Sequence, residues 1–296
     1  MKIYDCFQFF DEEMLLDLRL NILDRYVDKF VISEAMYKHN GDKKKLNFDI
    51  NKFRKFKEKI IYLVVDTPPP DLSNINEDDT VKNKQSKKIS NAYRRHIHQL
   101  EKIQEGIADA QKNDIIIVGD LDEIPDLEKI DFNKIQNKLI FFKQKIYYYK
   151  LNLLHEKMPW FGSKACKKNK LKSFSWLRNL KNKKYPFWRI DSLFSKTKET
   201  NLEIISDGGW HFTNVKTPED LYEKLSNYGH HNEFEDAGYT LEDVKDQISK
   251  KIVNYDHLAD KIKAKKNFEY KLKKVENNIL PNYLQLSHNL YKDWFD

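Results

Sequence analysis

Near the middle of the chain, a cluster of carboxylates follows a short apolar run. Ile115–Val118 consists of β-branched side chains, and Asp120, Asp122 and Glu123 come shortly after it, before Pro125. On extended backbone, alternate side chains point the same way, so the Asp120 and Asp122 side chains share a face with Cα atoms roughly 7 Å apart. Divalent cations such as Mn²⁺ and Mg²⁺ favour a few carboxylates combined with substrate phosphate oxygens. The pattern therefore predicts a metal site for Mn²⁺ or Mg²⁺ that is shared with a phosphate-bearing substrate, and its simpler alternative is a solvated acidic turn.

The elements in front of this motif predict an α/β fold. Strands are expected at 2–10, 29–33, 59–65 and 115–118, helices at 12–26 (with Asp11 as N-cap) and 90–111, and a polar loop at 71–88. This alternation is typical of a parallel sheet, which binds ligands at the carboxyl ends of its strands. Glu34 and Asp66 follow the second and third strands at that edge and are candidate ligand contacts.

The second half of the chain changes character. Its expected elements are aromatic-rich strands at 139–151, a basic loop or short helices at 164–184, strands at 188–196 and 201–205, and a helix at 218–227. The segment from Asp207 to Phe212 reads DGGWHF, and its two glycines would allow close backbone approach to a ligand. His211 in this segment, with His230 and His231 further on, adds candidate metal or phosphate contacts.

Composition limits the class of protein. The chain has 296 residues, 40% hydrophobic content and a net charge of +7, which is typical of a folded protein rather than a disordered one. No apolar stretch approaches the 18 or so residues of a membrane span, so we expect a cytoplasmic protein. Lysines cluster at 250–274 with apolar residues at helical spacing, which predicts an amphipathic helix pair able to contact an anionic membrane surface. Cys6 and Cys166 are expected to be buried thiols.

Several short motifs, in their order along the chain, resemble glycosyltransferase family 17, the group that includes β-1,4-mannosyl-glycoprotein 4-β-N-acetylglucosaminyltransferase. They are Tyr4-Asp5-Cys6-Phe7 with Phe9-Phe10, Leu18-Arg19-Leu20, Asp28 to Ile32 with Glu34, Asp120 to Pro125, Gly209-Trp210-His211-Phe212, Glu223-Lys224-Leu225, and His230 to Glu233. The resemblance implies a GT-A-like nucleotide-sugar-binding fold with a mostly parallel central sheet, and an inverting transfer of N-acetylglucosamine from a UDP-sugar to a glycan acceptor. We expect a catalytic domain at 1–235 and a helical C-terminal extension at 236–296 packed on it.

Sugar transfer needs a neutralised diphosphate, and this gives each candidate donor-site residue a role. We expect Asp122 to bind the metal directly, Asp120 to bind it through water or to contact the donor ribose, and His211 to act as third ligand or diphosphate contact. Arg94 or Arg95 could contact donor phosphate, and Trp160, Trp188 and Trp210 could stack on sugar faces.

The general base is the least constrained role. An inverting transfer needs a carboxylate or imidazole within hydrogen-bond reach of the acceptor hydroxyl. Glu233 is the first candidate, and Glu123, Asp207 and His230 are also admissible.

Two other classes of protein compete with this interpretation. Haloacid-dehalogenase-like phosphatases also end a strand in Asp-x-Asp, with the first Asp as nucleophile, but Ile124 stands where their pattern has Thr. A nucleic-acid-binding platform would alternate aromatic and basic residues on one exposed face, whereas the aromatics here lie mostly in apolar strands. Nucleic acid is therefore not an expected partner.

Overall fold

The computed structural model describes residues 1–135, 138–186, 188, 191, 194–227, 240–254 and 269–296. The strands are β1 (Ile3–Gln8), β2 (Lys29–Ala35), β3 (Ile60–Val65), β4 (Ile115–Val118), β5 (Glu123–Pro125), β6 (Leu139–Tyr148), β7 (Leu153–Lys167), β8 (Leu202–Ile205), β9 (Gly209–Thr213), β10 (Ile252–Val253), β11 (Tyr270–Lys271) and β12 (Lys273–Lys274). The helices are α1 (Glu13–Leu23), α2 (Val81–Lys102), α3 (Phe174–Asn179), α4 (Pro218–Asn227), α5 (Leu241–Lys250) and α6 (Asn282–Leu286).

One large sheet organises the described residues, in the order β3-β2-β1-β4-β7-β6-β9-β5, with β12 on β7 and β8 on β6. The half from β3 to β4 is parallel. Beyond it, β7 runs antiparallel to both β4 and β6, and β9 runs parallel to β6. The predicted class, an α/β fold with a mostly parallel central sheet, is confirmed.

The apolar run in front of the acidic motif is buried on both faces. Ile115 and Ile117 pack with the α1 side of the sheet, whereas Ile116 and Val118 pack with the side that carries α2 and α3. A strand covered on both faces requires a continuous apolar run, as the β4 sequence has. The carboxyl end of β4 is therefore fixed in position in the interior of the sheet, between β1 and β7.

Some boundaries differ from the sequence expectations. The N-cap position of α1 is Glu12 rather than Asp11, but Glu12 makes no side-chain capping hydrogen bond, and the Asp11 carboxylate accepts a hydrogen bond from Lys216. Helix α2 begins at Val81 because the Thr80 hydroxyl accepts a hydrogen bond from the Asn83 amide, so the loop prediction for 81–88 is wrong. The helix predicted to reach 111 ends at Lys102 and continues as a 3₁₀ turn over Ile103–Ile107.

Two predictions in the second half fall partly outside the described residues. Of the strand expected at 188–196, Trp188 and Phe194 lie in turns and are exposed. Within the expected helix pair, β10 and β11 instead form an antiparallel hairpin, and residues 255–268 are outside the described part. Membrane contact through that segment stays a prediction.

The last residues of the chain pack on the main sheet. β12 extends the sheet beside β7, and α6 lies against α1. The Tyr291 hydroxyl donates a 2.5 Å hydrogen bond to Asp17 on α1. Within the described ranges, no helix is both long and apolar enough to cross a membrane. Cys6 and Cys166 are buried thiols, as expected.

Candidate active site

The acidic motif opens into a cleft of about 210 Å³ at the carboxyl edge of β1, β2 and β4. Asp120 and Asp122 line it from the turn between β4 and β5. The wall is completed by residues that follow β1 and β2, by α2 and by α4, including Gln8, Phe10, Glu12, Tyr37, His39, His96, Glu223 and Lys224. The sheet thus brings together at one edge side chains that are far apart in the chain, as parallel α/β sheets do.

Glu123 is buried beneath the turn and shapes it. Its Oε2 accepts a 2.8 Å hydrogen bond from the Asp120 amide, and its Oε1 accepts one of 2.6 Å from the Trp160 indole. Burial, reinforced by the Asp120 carboxylate, raises the pKa of Glu123. With both oxygens engaged, Glu123 fixes the backbone that carries Asp120.

Asp122 faces His211 across the sheet. Strands β5 and β9 pair Glu123 with His211, and the Phe212 amide donates a 2.9 Å hydrogen bond to the Asp122 carbonyl. This register places His211 Nε2 3.4 Å from Asp122 Oδ2. Burial alone would raise the pKa of Asp122, but the facing imidazole outweighs it and lowers that pKa. Burial alone would lower the pKa of His211, but the carboxylates of Asp122, Glu123 and Asp120 raise it.

Asp120 is bound by a residue that the sequence did not single out. Arg178, on α3, donates from Nε to Asp120 Oδ1 at 3.2 Å and from Nη2 to Oδ2. Burial would raise the pKa of Asp120, but Arg178 outweighs it and lowers that pKa to about 2. The carboxylate is therefore ionised at every pH near neutrality.

A histidine pair stands beside Asp120. The rings of His39 and His96 meet edge-on, with centroids 5.5 Å apart. Burial, with a further contribution from Arg178, lowers the pKa of His96 to about 4, and burial also lowers the pKa of His39. Both imidazoles are thus neutral at pH 7 and form an uncharged wall. Their positions in the sequence could have identified them, because His39 follows β2 and His96 lies on the helix that leads to β4, and both places are close to the carboxyl edge of the sheet.

Sequence comparison decides the family. The family model of glycosyltransferase family 17 matches residues 1–292, nearly the whole chain. The chain belongs to glycosyltransferase family 17. It is therefore a glycosyltransferase, which replaces the phosphatase and nucleic-acid alternatives.

Further comparisons add little to the family assignment. No curated protein matches this family 17 chain. Among solved structures, it is similar to a 2-C-methyl-D-erythritol 4-phosphate cytidylyltransferase from Francisella tularensis, with a TM-score of 0.33 and 11% identity, over 77% of this chain and 100% of that one.

The predicted metal ligands of this glycosyltransferase are only partly assembled by the protein itself. In the described residues, no group of three or more His, Cys, Asp or Glu side chains is arranged to hold a metal ion. Asp122 and His211 offer one carboxylate and one imidazole side by side, while Asp120 is turned towards Arg178. One carboxylate and one imidazole fit a Mn²⁺ or Mg²⁺ ion whose remaining ligands are diphosphate oxygens and water, rather than an all-protein cage.

Four residues predicted to bind the donor are placed outside this cleft. Glu34 is buried and accepts hydrogen bonds from Lys44, the Asn47 and Phe48 amides and Tyr62, so it holds the segment after β2. Asp66 is exposed beyond β3. Arg94 lies 3.7 Å from Asp71 on the surface, and Arg95 donates to the His39 carbonyl at 2.9 Å. Arg95 therefore supports the cleft wall through His39 rather than lining the cleft.

The tryptophans predicted to stack on sugars make contacts within the protein. Trp210 lies on the face of β9 opposite His211 and donates to the Ile279 carbonyl at 3.2 Å. Trp160 stacks on His211 with ring centroids 4.8 Å apart. Trp188 is exposed.

The paired glycines approach protein backbone. A Cβ on Gly209 would lie 2.2 Å from the Ile124 carbonyl oxygen, and one on Gly208 would lie 2.7 Å from that of Ile205. These glycines let β9 pack closely on its neighbours, so the expected ligand approach is replaced by a structural one.

The predicted general bases are not brought together. Glu123 is enclosed, as described above, and Asp207 lies beyond the far end of β9, where it pairs with Lys145 at 3.4 Å. Glu233 and His230 fall outside the described residues. Their roles stay predictions.

Proposed function

We propose that this family 17 glycosyltransferase is metal-dependent and inverting, and that it transfers N-acetylglucosamine from a UDP-sugar to a glycan acceptor. The observation that carries the proposal is Asp122, which lines a cleft at the carboxyl edge of the parallel strands and is backed by His211 at 3.4 Å. A nucleoside diphosphate sugar lying in this cleft would bring its diphosphate to that pair and its nucleoside to the histidine wall.

Each proposed role follows from a side chain's surroundings. Asp122 and His211 would hold Mn²⁺ or Mg²⁺, which when bound supplies Lewis-acid stabilisation of the leaving diphosphate. Asp120 is ionised and paired with Arg178, so it suits a contact to the donor ribose or to metal-bound water. His39 and His96 are neutral and offer ring faces and ring nitrogens to the nucleoside without repelling the metal.

We assign the acceptor to the side of the cleft between the start of α1 and α4, which Glu12, Glu223 and Lys224 line. Glu12, at the start of α1, lies 3.9 Å from Lys224 on α4 and 3.6 Å from Lys216. Burial would raise the pKa of Glu12, but Lys224 and Lys216 outweigh it and lower that pKa, so this wall is charged and polar, as a sugar acceptor requires. We retain Glu233, which follows α4 in the chain, as the first candidate for the general base.

The first test is calorimetric titration with UDP, UDP-N-acetylglucosamine and GDP-mannose, each with Mn²⁺ and with EDTA. Metal-dependent binding of the uridine ligands alone is the expected result. Equal binding of GDP-mannose would contradict the donor assignment, and undiminished binding in EDTA would contradict the metal dependence. Incubation with UDP-N-acetylglucosamine and a panel of glycans then identifies the acceptor class.

A further inference from the structure

The carboxylate of Asp120 forms an ion pair with Arg178. Arg178 contacts both Asp120 oxygens in a two-pronged arrangement, which is the strongest geometry available to a guanidinium and a carboxylate. Asp122, on the same turn, faces His211 instead. Asp120 and Asp122, which were expected to share a metal, therefore have different partners: Asp120 pairs with Arg178, and Asp122 faces His211.

The base of Arg178 is fixed while its tip is accessible. Buried Lys164 donates hydrogen bonds of 2.8 and 2.7 Å to the carbonyls of Arg178 and Leu180, which anchors the end of α3. The start of α3 is held by Glu101, which accepts from the Phe174 and Ser175 amides at 3.2 and 2.8 Å. By contrast, the Arg178 side chain is 31% exposed, so part of it is open to solvent.

A guanidinium at this position affects a metal and a diphosphate in opposite directions. It weakens a metal near Asp120 because it neutralises a carboxylate and adds a like charge. It favours a diphosphate because its planar fork matches phosphate oxygens as well as carboxylate oxygens. A metal alone would be repelled by Arg178, and a diphosphate alone would find Arg178 already paired with Asp120. When the two bind together, the metal can pair with Asp120 and Arg178 can pair with the diphosphate.

We propose that Arg178 is a donor-binding residue that occupies Asp120 in the metal-free protein and transfers to the donor diphosphate when metal and donor bind together. The metal therefore binds weakly by itself and tightly with the nucleotide. This inference rests on the proposed function, since it takes the donor to be a nucleoside diphosphate sugar.

The experiment is a Mn²⁺ titration followed by electron paramagnetic resonance, with and without UDP, on wild type and Arg178→Gln. The expected result without UDP is tighter Mn²⁺ binding in Arg178→Gln, by about tenfold, because an opposite charge shifts a carboxylate equilibrium by at least that factor. With UDP, wild type should gain far more Mn²⁺ affinity than the variant. Arg178→Lys keeps the positive charge but lacks the planar guanidinium, so its Mn²⁺ affinity should lie between those of wild type and Arg178→Gln.

Two matched controls separate this role from a structural one. Arg25→Gln removes the same charge from an exposed pair with Glu128 and should leave both titrations unchanged. In an Asp120→Asn background, Arg178→Gln should alter Mn²⁺ binding without UDP much less than in wild type, because only the repulsion between the guanidinium and the metal is then removed.

The outcomes distinguish this inference from the proposed function. Unchanged or weaker Mn²⁺ binding without UDP in folded Arg178→Gln would overturn the proposal, and so would an undiminished UDP enhancement. Failure of wild type to bind UDP at all, with or without metal, would instead refute the proposed function and the diphosphate half of this inference together.

Discussion

Arg19 and Asp5 form an ion pair with both side chains completely buried, at 2.7 Å. The remaining nitrogen of the guanidinium, Nη1, donates to the carbonyls of Asp120, Leu121 and Glu123 at 2.8, 3.1 and 2.9 Å. One residue of α1 therefore ties the first strand of the sheet to the turn that carries the acidic motif. This explains physically why the Asp5 and Arg19 segments accompany the acidic motif in the resemblance to family 17.

Replacing Arg19 with Met should destabilise the protein by about 3–5 kcal/mol, since it leaves the buried Asp5 carboxylate and three carbonyls without their donor. Urea unfolding measures the change, with Arg25→Met as a control in an exposed pair. The folded fraction should also lose transfer activity as the acidic turn relaxes. Stability within about 1 kcal/mol of wild type would show that the pair does not hold this turn.

Replacing Asp122 with Ala should lower the rate of transfer at least about a hundredfold, because the proposed metal would lose the carboxylate that lies beside His211. Activity is compared on protein that circular dichroism shows to be folded, because the substitution also removes the carboxylate that faces buried His211. Asp109→Asn, an exposed carboxylate on the surface, is the matched control. Wild-type turnover of Asp122→Ala at equal Mn²⁺ would rule out this ligand.

Stability should depend on pH through His96. Its folded pKa of about 4 lies below its unfolded value of 6.5. Between these values the unfolded state binds a proton that the folded state does not, so the free energy of unfolding falls as the pH drops from 6.5 to 4. His96→Asn should remove on the order of 2 kcal/mol of this fall. Urea unfolding across this range measures it, and His98→Asn on the same helix should follow wild type.

Replacing Lys164 with Met should loosen α3 locally. The two carbonyls at its end lose a charged donor, which is worth about 2 kcal/mol of local stability. Hydrogen exchange of residues 174–180 should accelerate relative to wild type, whereas the exposed Lys170→Met should have no such effect. Protection equal to wild type would assign the anchoring of α3 to Glu101 alone.

Replacing Gly162 with Ala should lower both stability and transfer activity, because it displaces Glu123. The added Cβ would lie 2.0 Å from Gln144 Oε1 and 2.9 Å from Glu123 Cδ, so Glu123 must shift and release the Asp120 amide. The expected loss of stability is about 1–3 kcal/mol. Gly106→Ala meets Val31 at 2.3 Å, far from the site, and should destabilise similarly while each folded molecule keeps full activity. Equal activity losses in both variants would mean that general destabilisation, not Glu123, is responsible.

The sequence by itself determined the strands that carry the site. The β-branched run of β4 is apolar on both faces, which suits only a central strand, and this local pattern was enough to place Asp120 and Asp122 at the carboxyl edge of a parallel sheet. The α/β class followed from the same reasoning.

Only the tertiary structure decided which side chains meet the acids. Arg178 and Asp120 are 58 residues apart, and their contact depends on the path of β7 beside β4 and on the anchoring of α3. Glu34 lies at the strand end where the sequence predicts a ligand contact, but it does not line the cleft. Its carboxylate instead accepts hydrogen bonds from Lys44 and from the backbone amides of residues 47 and 48. Local apolar patterning fixes the strands through burial, whereas polar partners are set by register and crossover, which no local sequence pattern contains.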